Sequence, residues 1–317
     1  MKKITILLAF IAIALSLKAQ QTDSVKKTSS ADSLLNAMNM NTDTKAVPVI
    51  ATFKSTRLIL SETSETVKKN NLNFVVIHRF GDIAGAEGGG KTFFGFDNSS
   101  DIYIGFEYGL GNNLDIDFGR SKFAQLIDLG LKYAIIHQTA DDATPIAVTL
   151  LGKAGLKPYK NDGSFNTYTD RFAYVAQAII ARKFSSTFSM QLTPTFIRDN
   201  ATFPFVPGNE NQFFALGVAG RLKISKRFGI IVDYAHPFST FRQNSTGPNS
   251  FYDPLGVGIE IETGGHVFTI NFSNAKAISE TNYLSNTQSS WGKGQFRIGF
   301  TITRIFDLNG KHEKSFK

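Results

Sequence analysis

The sequence predicts an all-β fold: a single antiparallel up-and-down transmembrane β-barrel of about twelve strands. First, apolar and polar residues alternate in many short stretches, as in 266–272, where Phe268, Ile270 and Phe272 share one face and Thr269 lies on the other. A period of two indicates strands whose faces meet different environments. Second, an export signal precedes these stretches. Third, their connections are mostly short and long in turn, which is typical of outer-membrane barrels.

Residues 1–19 read as a cleavable signal peptide. Lys2 and Lys3 precede an apolar run, and Ala19 supplies a small residue at the cleavage site. The run is too short to cross ~30 Å of hydrocarbon comfortably, which argues against a membrane anchor. Residues 20–48 are polar and low in aromatics, so we interpret them as a flexible mature N-terminus.

Composition excludes several classes of function. The chain has no cysteine, which removes disulfides, thiol catalysis and cysteine metal sites. The net charge is +8, but three of these charges belong to the signal peptide and the others are scattered. Because the protein is exported, we expect no nucleic-acid partner. Hydrophobic residues make up an ordinary 42%, as expected when only alternate residues face lipid.

The barrel is predicted to span residues 72–306. Its strands are predicted at 72–80, 101–109, 114–120, 125–137, 145–156, 171–183, 186–198, 212–224, 228–236, 254–262, 265–273 and 295–306. Twelve is an even number, as bacterial single-chain barrels require, and it puts both barrel ends on the periplasmic side. Residues 49–60 also look strand-like but would break this parity. We therefore expect segment 49–71 in the periplasm or inside the lumen, and a polar C-terminal tail over 307–317.

The two faces of the predicted strands differ in charge. A charge that faces lipid at the membrane midplane costs ~2–4 kcal/mol, so its absence from one face indicates a lipid face. Ile104, Leu131 and Ile270 are predicted to point outward at mid-membrane. Arginine at these positions should be costly, whereas arginine at Thr269, on the inner face, should be milder.

Charged residues on the opposite face are the candidate lumen lining. These residues are Arg79, Glu107, Asp115, Asp117, Asp128, Lys132, Asp233, Glu260, Glu262 and Arg297. By strand direction, Glu107, Asp115, Asp117, Glu260 and Glu262 should collect near the periplasmic end. Two interpretations stay open: a salt-bridged network that fills the lumen, or a charged lining that selects a small solute.

Several motifs carry a family resemblance. They include Thr52–Ile59, Ser61–Thr63, His78–Ile83, Phe94–Asp97 and Gly105–Gly109. Over roughly residues 45–306 the chain resembles a family of Bacteroidetes-type outer-membrane β-barrel proteins known only as a domain of unknown function. The resemblance implies a barrel and an outer-membrane location. It carries no activity or functional residues.

Motifs that could carry chemistry are weak. The stretch 85–92 matches the phosphate-loop pattern, but Phe93 and Phe94 follow where a helix should begin. The histidines lack metal-site spacing. We therefore predict no catalytic, metal or cofactor-binding residues, no cofactor and no enzymatic activity.

Two functions remain open on the sequence. The first is a narrow channel or binding barrel for a small solute. The alternative is a plugged structural or surface-interaction barrel that acts through its long extracellular loops. The expected partners are outer-membrane lipid, the barrel-assembly machinery and, for the first function, the solute.

Overall fold

The structure is a computed structural model and describes residues 47–202 and 208–309. The predicted signal peptide 1–19, the predicted N-terminus up to residue 46 and the tail from residue 310 lie outside the described residues.

Twelve antiparallel strands form a closed barrel. Each strand pairs with the next along the chain, and β1 pairs with β12, so the sheet has no free edge. The predicted all-β barrel is confirmed, and each predicted strand boundary lies within two residues of the observed one. The strands are Asn71–Asp82 (β1), Ser99–Gly109 (β2), Leu114–Ser121 (β3), Ile127–Ile136 (β4), Ala147–Leu156 (β5), Phe172–Lys183 (β6), Phe188–Asp199 (β7), Gln212–Lys223 (β8), Phe228–Phe238 (β9), Leu255–Thr263 (β10), His266–Ser273 (β11) and Arg297–Asp307 (β12).

Helices are few and short. Thr240–Asn244 (α1) lies between β9 and β10, and Glu280–Ser285 (α2) lies between β11 and β12. The described part of the chain contains no helix of the length and hydropathy needed to span a membrane. Single 3-10 turns occur at Gly90–Thr92, Phe123–Gln125, Tyr168–Arg171, Gly247–Asn249 and Trp291–Lys293.

Alternation along the strands separates an outer apolar face from an inner polar face. Ile104, Leu131 and Ile270 are 45%, 52% and 51% exposed on the outer face, as predicted. Thr269 is 4% exposed and points inward. The period of two therefore positions the ten predicted lumen-lining residues on the inner side of the wall.

The connections define the two ends of the barrel. Tight connections at 110–113, 184–187, 224–227 and 264–265 mark the periplasmic end, and longer ones at 83–98, 157–171 and 239–254 mark the outside. Pro48 forms a β-bridge with Thr139 in the connection between β4 and β5. The described N-terminal segment therefore starts at the periplasmic end.

Candidate functional site

The segment before β1 folds as a hairpin inside the barrel, and we call residues 52–67 the N-plug. Its two arms are joined by backbone hydrogen bonds. The amide of Leu58 donates to the carbonyl of Ser61 at 3.0 Å, and that of Thr63 donates to the carbonyl of Thr56 at 2.7 Å. The hairpin enters from the periplasmic end because the chain continues from it directly into β1.

The large apolar side chains of the N-plug, from Phe53 at its base to Leu58, Ile59 and Leu60 at its tip, are buried. Phe53, Leu58, Ile59 and Leu60 are each 1–2% exposed. A Cβ atom at Gly256 of β10 would lie 2.5 Å from the side chain of Ile59, so only glycine lets the tip approach this strand.

Asp233 of β9 fixes the turn of the N-plug. Its carboxylate accepts hydrogen bonds from the backbone amides of Leu60 and Ser61, both at 2.8 Å, and from the Ser61 hydroxyl at 2.9 Å. Gln191 of β7 adds a donor to the carbonyl of Glu62 at 2.7 Å. The turn is therefore held by specific polar contacts with the wall as well as by apolar packing.

A second segment fills the lumen from the outside, and we call residues 274–290 the outer plug. It contains α2, whose six residues are all buried. The carboxylate of Asp101 accepts a hydrogen bond from the amide of Ile278 at 2.9 Å. The Ser279 hydroxyl donates to Asp128 at 2.8 Å. Two strand carboxylates thus hold the segment that leads into α2.

Arg79 of β1 joins the two plugs. Its guanidinium donates to the carbonyl of Ile59 in the N-plug at 2.9 Å, and to the carbonyls of Ala275 (3.2 Å) and Ala277 in the outer plug. A charged donor that is 1% exposed requires such partners, because an unpaired buried charge is costly. The two plugs meet at this residue.

Arg297 of β12 holds the base of the outer plug. It forms an ion pair with Asp82 and donates to the carbonyl of Asn274 at 2.9 Å and to the Ser289 hydroxyl at 3.0 Å. Both ends of the outer plug are thereby fixed to one strand.

Six charged residues form what we call the central ion cluster. Glu62 lies 2.6 Å from Arg57, 2.8 Å from Lys153 and 3.1 Å from Lys132. Glu280 lies 3.2 Å from Arg57 and 3.5 Å from Lys153, and Asp117 lies 3.6 Å from Lys153. Three cations thus face three anions with side chains at most 8% exposed, which limits the cost of burying them. The members are Arg57, Glu62, Asp117, Lys132, Lys153 and Glu280.

Tyr103 of β2 supports this cluster from the wall. The guanidinium carbon of Arg57 lies 4.9 Å from the centre of its ring, a cation–π contact. Its hydroxyl donates to Asp128 at 3.0 Å. A Cβ atom at Gly119 would lie 2.0 Å from this hydroxyl, so glycine at that position makes room for the tyrosine.

All ten predicted lumen-lining residues lie on strands with their side chains inward. Nine are buried, whereas the Glu262 side chain is 36% exposed at the periplasmic rim. The structure does not bring the five predicted acidic residues into one group. Glu107, Asp115 and Asp117 lie on β2 and β3, while Glu260 and Glu262 lie on β10, four strands away around the wall from β2.

The acidic residues are also paired. Glu260 accepts a hydrogen bond from Arg221 at 2.7 Å, and Glu262 lies 3.2 Å from Lys54 of the N-plug. Asp115 accepts from the amide of Val67 at 2.8 Å. The N-plug thus supplies partners to carboxylates on two sides of the barrel.

Sequence reasoning missed the plug members of the central ion cluster. Arg57, Glu62 and Glu280 lie outside the strands, and alternation assigns a face only to strand residues. The signal that could have found them is the strand-like stretch 49–60, because a wall of twelve strands leaves no position for its apolar residues.

Small voids lie between the plugs and the barrel wall. Two cavities of about 10 Å³ lie beside the plugs, and each has room for about one water molecule. The first is lined by Ser61, Gln177, Thr193, Thr195, Ala215, Gly217, Asp233, Ala235, Tyr283 and Leu284, and the second by Leu126, Asp128, Lys153, Gly155, Val175, Ser279, Glu280 and Thr281.

Arg242 of α1 binds the outer plug from the outside end of the barrel. Its guanidinium donates twice to the carbonyl of Ser285, at 2.8 and 3.0 Å, and stacks 4.0 Å over the ring of Phe213. Burial lowers the pKa of this guanidinium to about 10, well above neutral pH, so it stays charged. The loop between β9 and β10 therefore covers the C-terminal end of α2.

A wide concavity lies on the outside surface. It is a polar cleft of about 620 Å³ between the β5–β6 and β7–β8 connections. The Asn200 side chain donates to the carbonyl of Thr169 at 2.8 Å and ties the two connections together. Hydrogen bonds from Thr167 hold the pKa of Asp170 below its usual value. The cleft is lined by Thr169, Asp170, Arg198, Asn200, Asn209, Asn211 and Gln212.

Solved structures that resemble this one are outer-membrane barrels. The NanC porin is 8% identical with a TM-score of 0.46 and covers 74% of this chain and 98% of its own. An outer membrane channel from Pseudomonas putida F1 is 11% identical with a TM-score of 0.47 and covers 77% of this chain and 98% of its own. The KdgM porin is 6% identical with a TM-score of 0.43 and covers 74% of this chain and 99% of its own. Likenesses this distant carry no argument about a solute.

The family is shown by the sequence itself. No curated protein matches the chain. A family model described as a membrane-bound beta barrel domain, DUF5777, matches residues 53–306 and so includes nearly all of the N-plug as well as the strands. A closed antiparallel barrel of this kind is the form in which strands cross an outer membrane. The chain therefore belongs to the DUF5777 family of membrane-bound β-barrels, and it is an outer-membrane protein.

Proposed function

We propose that this protein is a plugged outer-membrane barrel that works through its outside surface. The observation that carries this proposal is the filling of the lumen by two segments of the same chain, which meet at Arg79. The two voids described beside them each hold about one water molecule, which supports a closed lumen.

The energetics of the N-plug favour a closed resting state. Burial of each large apolar side chain at its tip contributes roughly 1.5–3 kcal/mol relative to exposure. Withdrawal would also leave Asp233 without its three donors and Lys132 without Glu62. Breaking a buried ion pair in this way costs about 3–5 kcal/mol.

The outside surface is the part of this barrel that is open to a partner. Arg242 and Arg297 fix the outer plug to its surroundings, and Asn200 ties two outside connections together. Connections that are held in one conformation present a defined surface, which lowers the entropy cost of binding. The polar cleft over Asp170 and Arg198 gives that surface a concavity of about 620 Å³.

A second candidate is a gated channel for a small solute. It is favoured by the environment of Glu62, whose carboxylate lies between Lys132 and Lys153 of the wall. If the N-plug withdrew, these two lysines would face the lumen and attract an anion. The carboxylate of Glu62 would then stand in for that solute in the closed state.

One cross-link separates the two functions. The hydroxyls of Ser55 in the N-plug and Thr303 in β12 lie 3.4 Å apart, and the chain has no native cysteine. The S55C/T303C variant should form a disulfide that fixes the N-plug to the wall. Conductance of the wild type and of this variant, oxidised and reduced, is measured in planar bilayers.

A plugged barrel predicts no sustained conductance in the wild type, and no difference between the oxidised and reduced variant. Wild-type openings that vanish on oxidation and return on reduction would refute the plugged barrel and establish the gated channel. The S55A/T303A variant is the matched control, because it removes the same hydroxyls without a cross-link.

We also infer that the protein is not an enzyme. The His236 imidazole Nδ1 lies 3.1 Å from Asp253, a pairing that a general base could use. However, Tyr234 donates its hydroxyl to the same carboxylate at 2.7 Å. No serine or threonine hydroxyl is among the hydrogen-bond partners of His236 in the described structure, so a nucleophile–base pair has no support there. Assembly by the barrel-assembly machinery stays a prediction.

A further inference from the structure

We propose that the outside connection between β1 and β2 is an anchor in the outer leaflet of the membrane, with the rings of Phe93, Phe94 and Phe96 inserted among the lipids. The proposal extends the lipid face beyond the strands to an external loop. It concerns the part of that connection formed by residues 88–98.

The connection exposes three phenylalanines together. Phe93 is 65% exposed, Phe94 is 55% exposed and Phe96 is 44% exposed. Among the outside connections that the structure describes, the only other strongly exposed large hydrophobic residue is Tyr168, which carries a polar hydroxyl. A cluster of exposed apolar rings marks a surface that meets another apolar phase.

A continuous column of aromatic rings connects this loop to the lipid face. Phe300 and His78 lie on the outer face of adjacent strands and stack with centroids 5.4 Å apart. The column continues from His78 to Phe80 at 4.3 Å, from Phe80 to Phe96 at 5.0 Å, and from Phe96 to Phe93 at 5.8 Å. The exposed loop rings are therefore the upper end of a surface that already contacts lipid.

The backbone of the loop turns these rings outward at a cost. Phe93 and Phe94 are consecutive non-glycine residues with φ of 48° and 55°, in the left-handed region that bulky residues avoid. Hydrogen bonds fix this conformation, since the amide of Phe94 donates to the carbonyl of Gly89 at 2.8 Å. If the rings faced water, no favourable free energy would compensate for this backbone strain. Burial of the rings in lipid supplies a favourable free energy that offsets it.

The loop is also fixed to the barrel wall. The amide of Gly81 in β1 donates to the carbonyl of Gly95 at 2.9 Å and to that of Asn98 at 3.0 Å. A Cβ atom at Gly95 would lie 2.4 Å from the Gly81 carbonyl oxygen, so the loop lies directly against the end of the strand. The rings are therefore held at a fixed height next to the lipid face, where aromatic residues are favoured.

Fluorescence quenching by brominated lipid tests the proposal. The single native tryptophan is first removed as Trp291→Phe, which keeps a ring against Phe296. Phe93→Trp is then made in that background and reconstituted in vesicles of phosphatidylcholine with brominated acyl chains. Ile270→Trp is the lipid-facing reference, and Lys160→Trp, at an exposed charged position, is the water-exposed reference on another outside connection.

The emission of Phe93→Trp should fall in brominated vesicles by an amount comparable with Ile270→Trp, and aqueous acrylamide should quench it less than Lys160→Trp. Phe96→Trp gives the same test if Phe93→Trp fails to fold. Emission that acrylamide quenches as strongly as that of Lys160→Trp, with no loss in brominated vesicles, would overturn the proposal.

Discussion

Neutralising Glu62 should destabilise the whole barrel, because this carboxylate balances cations from both the N-plug and the wall. In the Glu62→Gln variant, Arg57 and Lys153 retain Glu280 at 3.2 and 3.5 Å. Lys132 keeps no ion-pair partner within 4 Å among the described residues, because its only recorded salt bridge is with Glu62 at 3.1 Å. Its side chain is 2% exposed, so the stranded charge cannot turn to water.

The magnitude follows from this stranded lysine. Removing one partner of a buried ion pair costs about 3–5 kcal/mol of unfolding free energy, much of it the penalty for the charge left behind. Glu262→Gln is the matched control, because its pair with Lys54 is 36% exposed on both sides. An exposed pair of this kind contributes at most about 1 kcal/mol.

The assay is urea-dependent unfolding of the barrel in lipid vesicles, followed by heat-modifiable migration on a gel. A second variant, Glu62→Gln with Lys132→Met, restores local neutrality and should recover a large part of the lost stability. If Glu62→Gln unfolds at the same urea concentration as Glu262→Gln, or if Lys132→Met gives no recovery, the buried ion cluster is not what holds the N-plug.

Three further predictions concern single side chains. Arginine at Ile270 should destabilise the barrel by ~2–4 kcal/mol in the same urea assay, because this position faces lipid. Arginine at Thr269 should destabilise the barrel by about 1–3 kcal/mol, because the larger side chain would overpack a filled interior. Lys91→Ala should change neither stability nor nucleotide binding by calorimetry, since a 3-10 turn rather than a helix follows the glycine-rich stretch. Tyr103→Phe should cost ~1.5–3 kcal/mol, because its hydroxyl donates to the buried carboxylate of Asp128 at 3.0 Å; an unchanged urea midpoint would contradict this.

The strands could be predicted from the sequence because lipid imposes a strict rule on them. A charge on the outer face is so costly that alternation survives along each strand, and it locates Ile104 and Leu131 on the correct side. The inner face follows no comparable rule. The expectation that arginine at Thr269 would be milder assumed an open lumen, whereas Thr269 is 4% exposed in a filled one, so overpacking adds a cost that alternation does not indicate.

The acidic residues predicted near the periplasmic end are separated around the barrel for a reason of topology. Strand direction gives the height of a residue in the wall but not its position around the circumference. Glu107 on β2 and Glu260 on β10 lie four strands apart, and Glu260 pairs with Arg221 instead. A sequence pattern that gives only the height of each residue in the wall therefore predicts a site only when the order of the strands around the barrel is also known.

The charges of the central ion cluster show why the plugs belong to the fold of this barrel. The wall contributes Lys132, Lys153 and Asp117, a net charge of +1, and the plugs contribute Arg57, Glu62 and Glu280, a net charge of −1. A wall that faced a water-filled pore would need no such match, because water screens each charge separately. Unpaired charge in a low-dielectric interior is costly, and each of the two wall lysines has a plug carboxylate within 4 Å. The buried lysines of the wall therefore form their ion pairs with carboxylates of the plugs, and they have these partners when the plugs lie in the lumen.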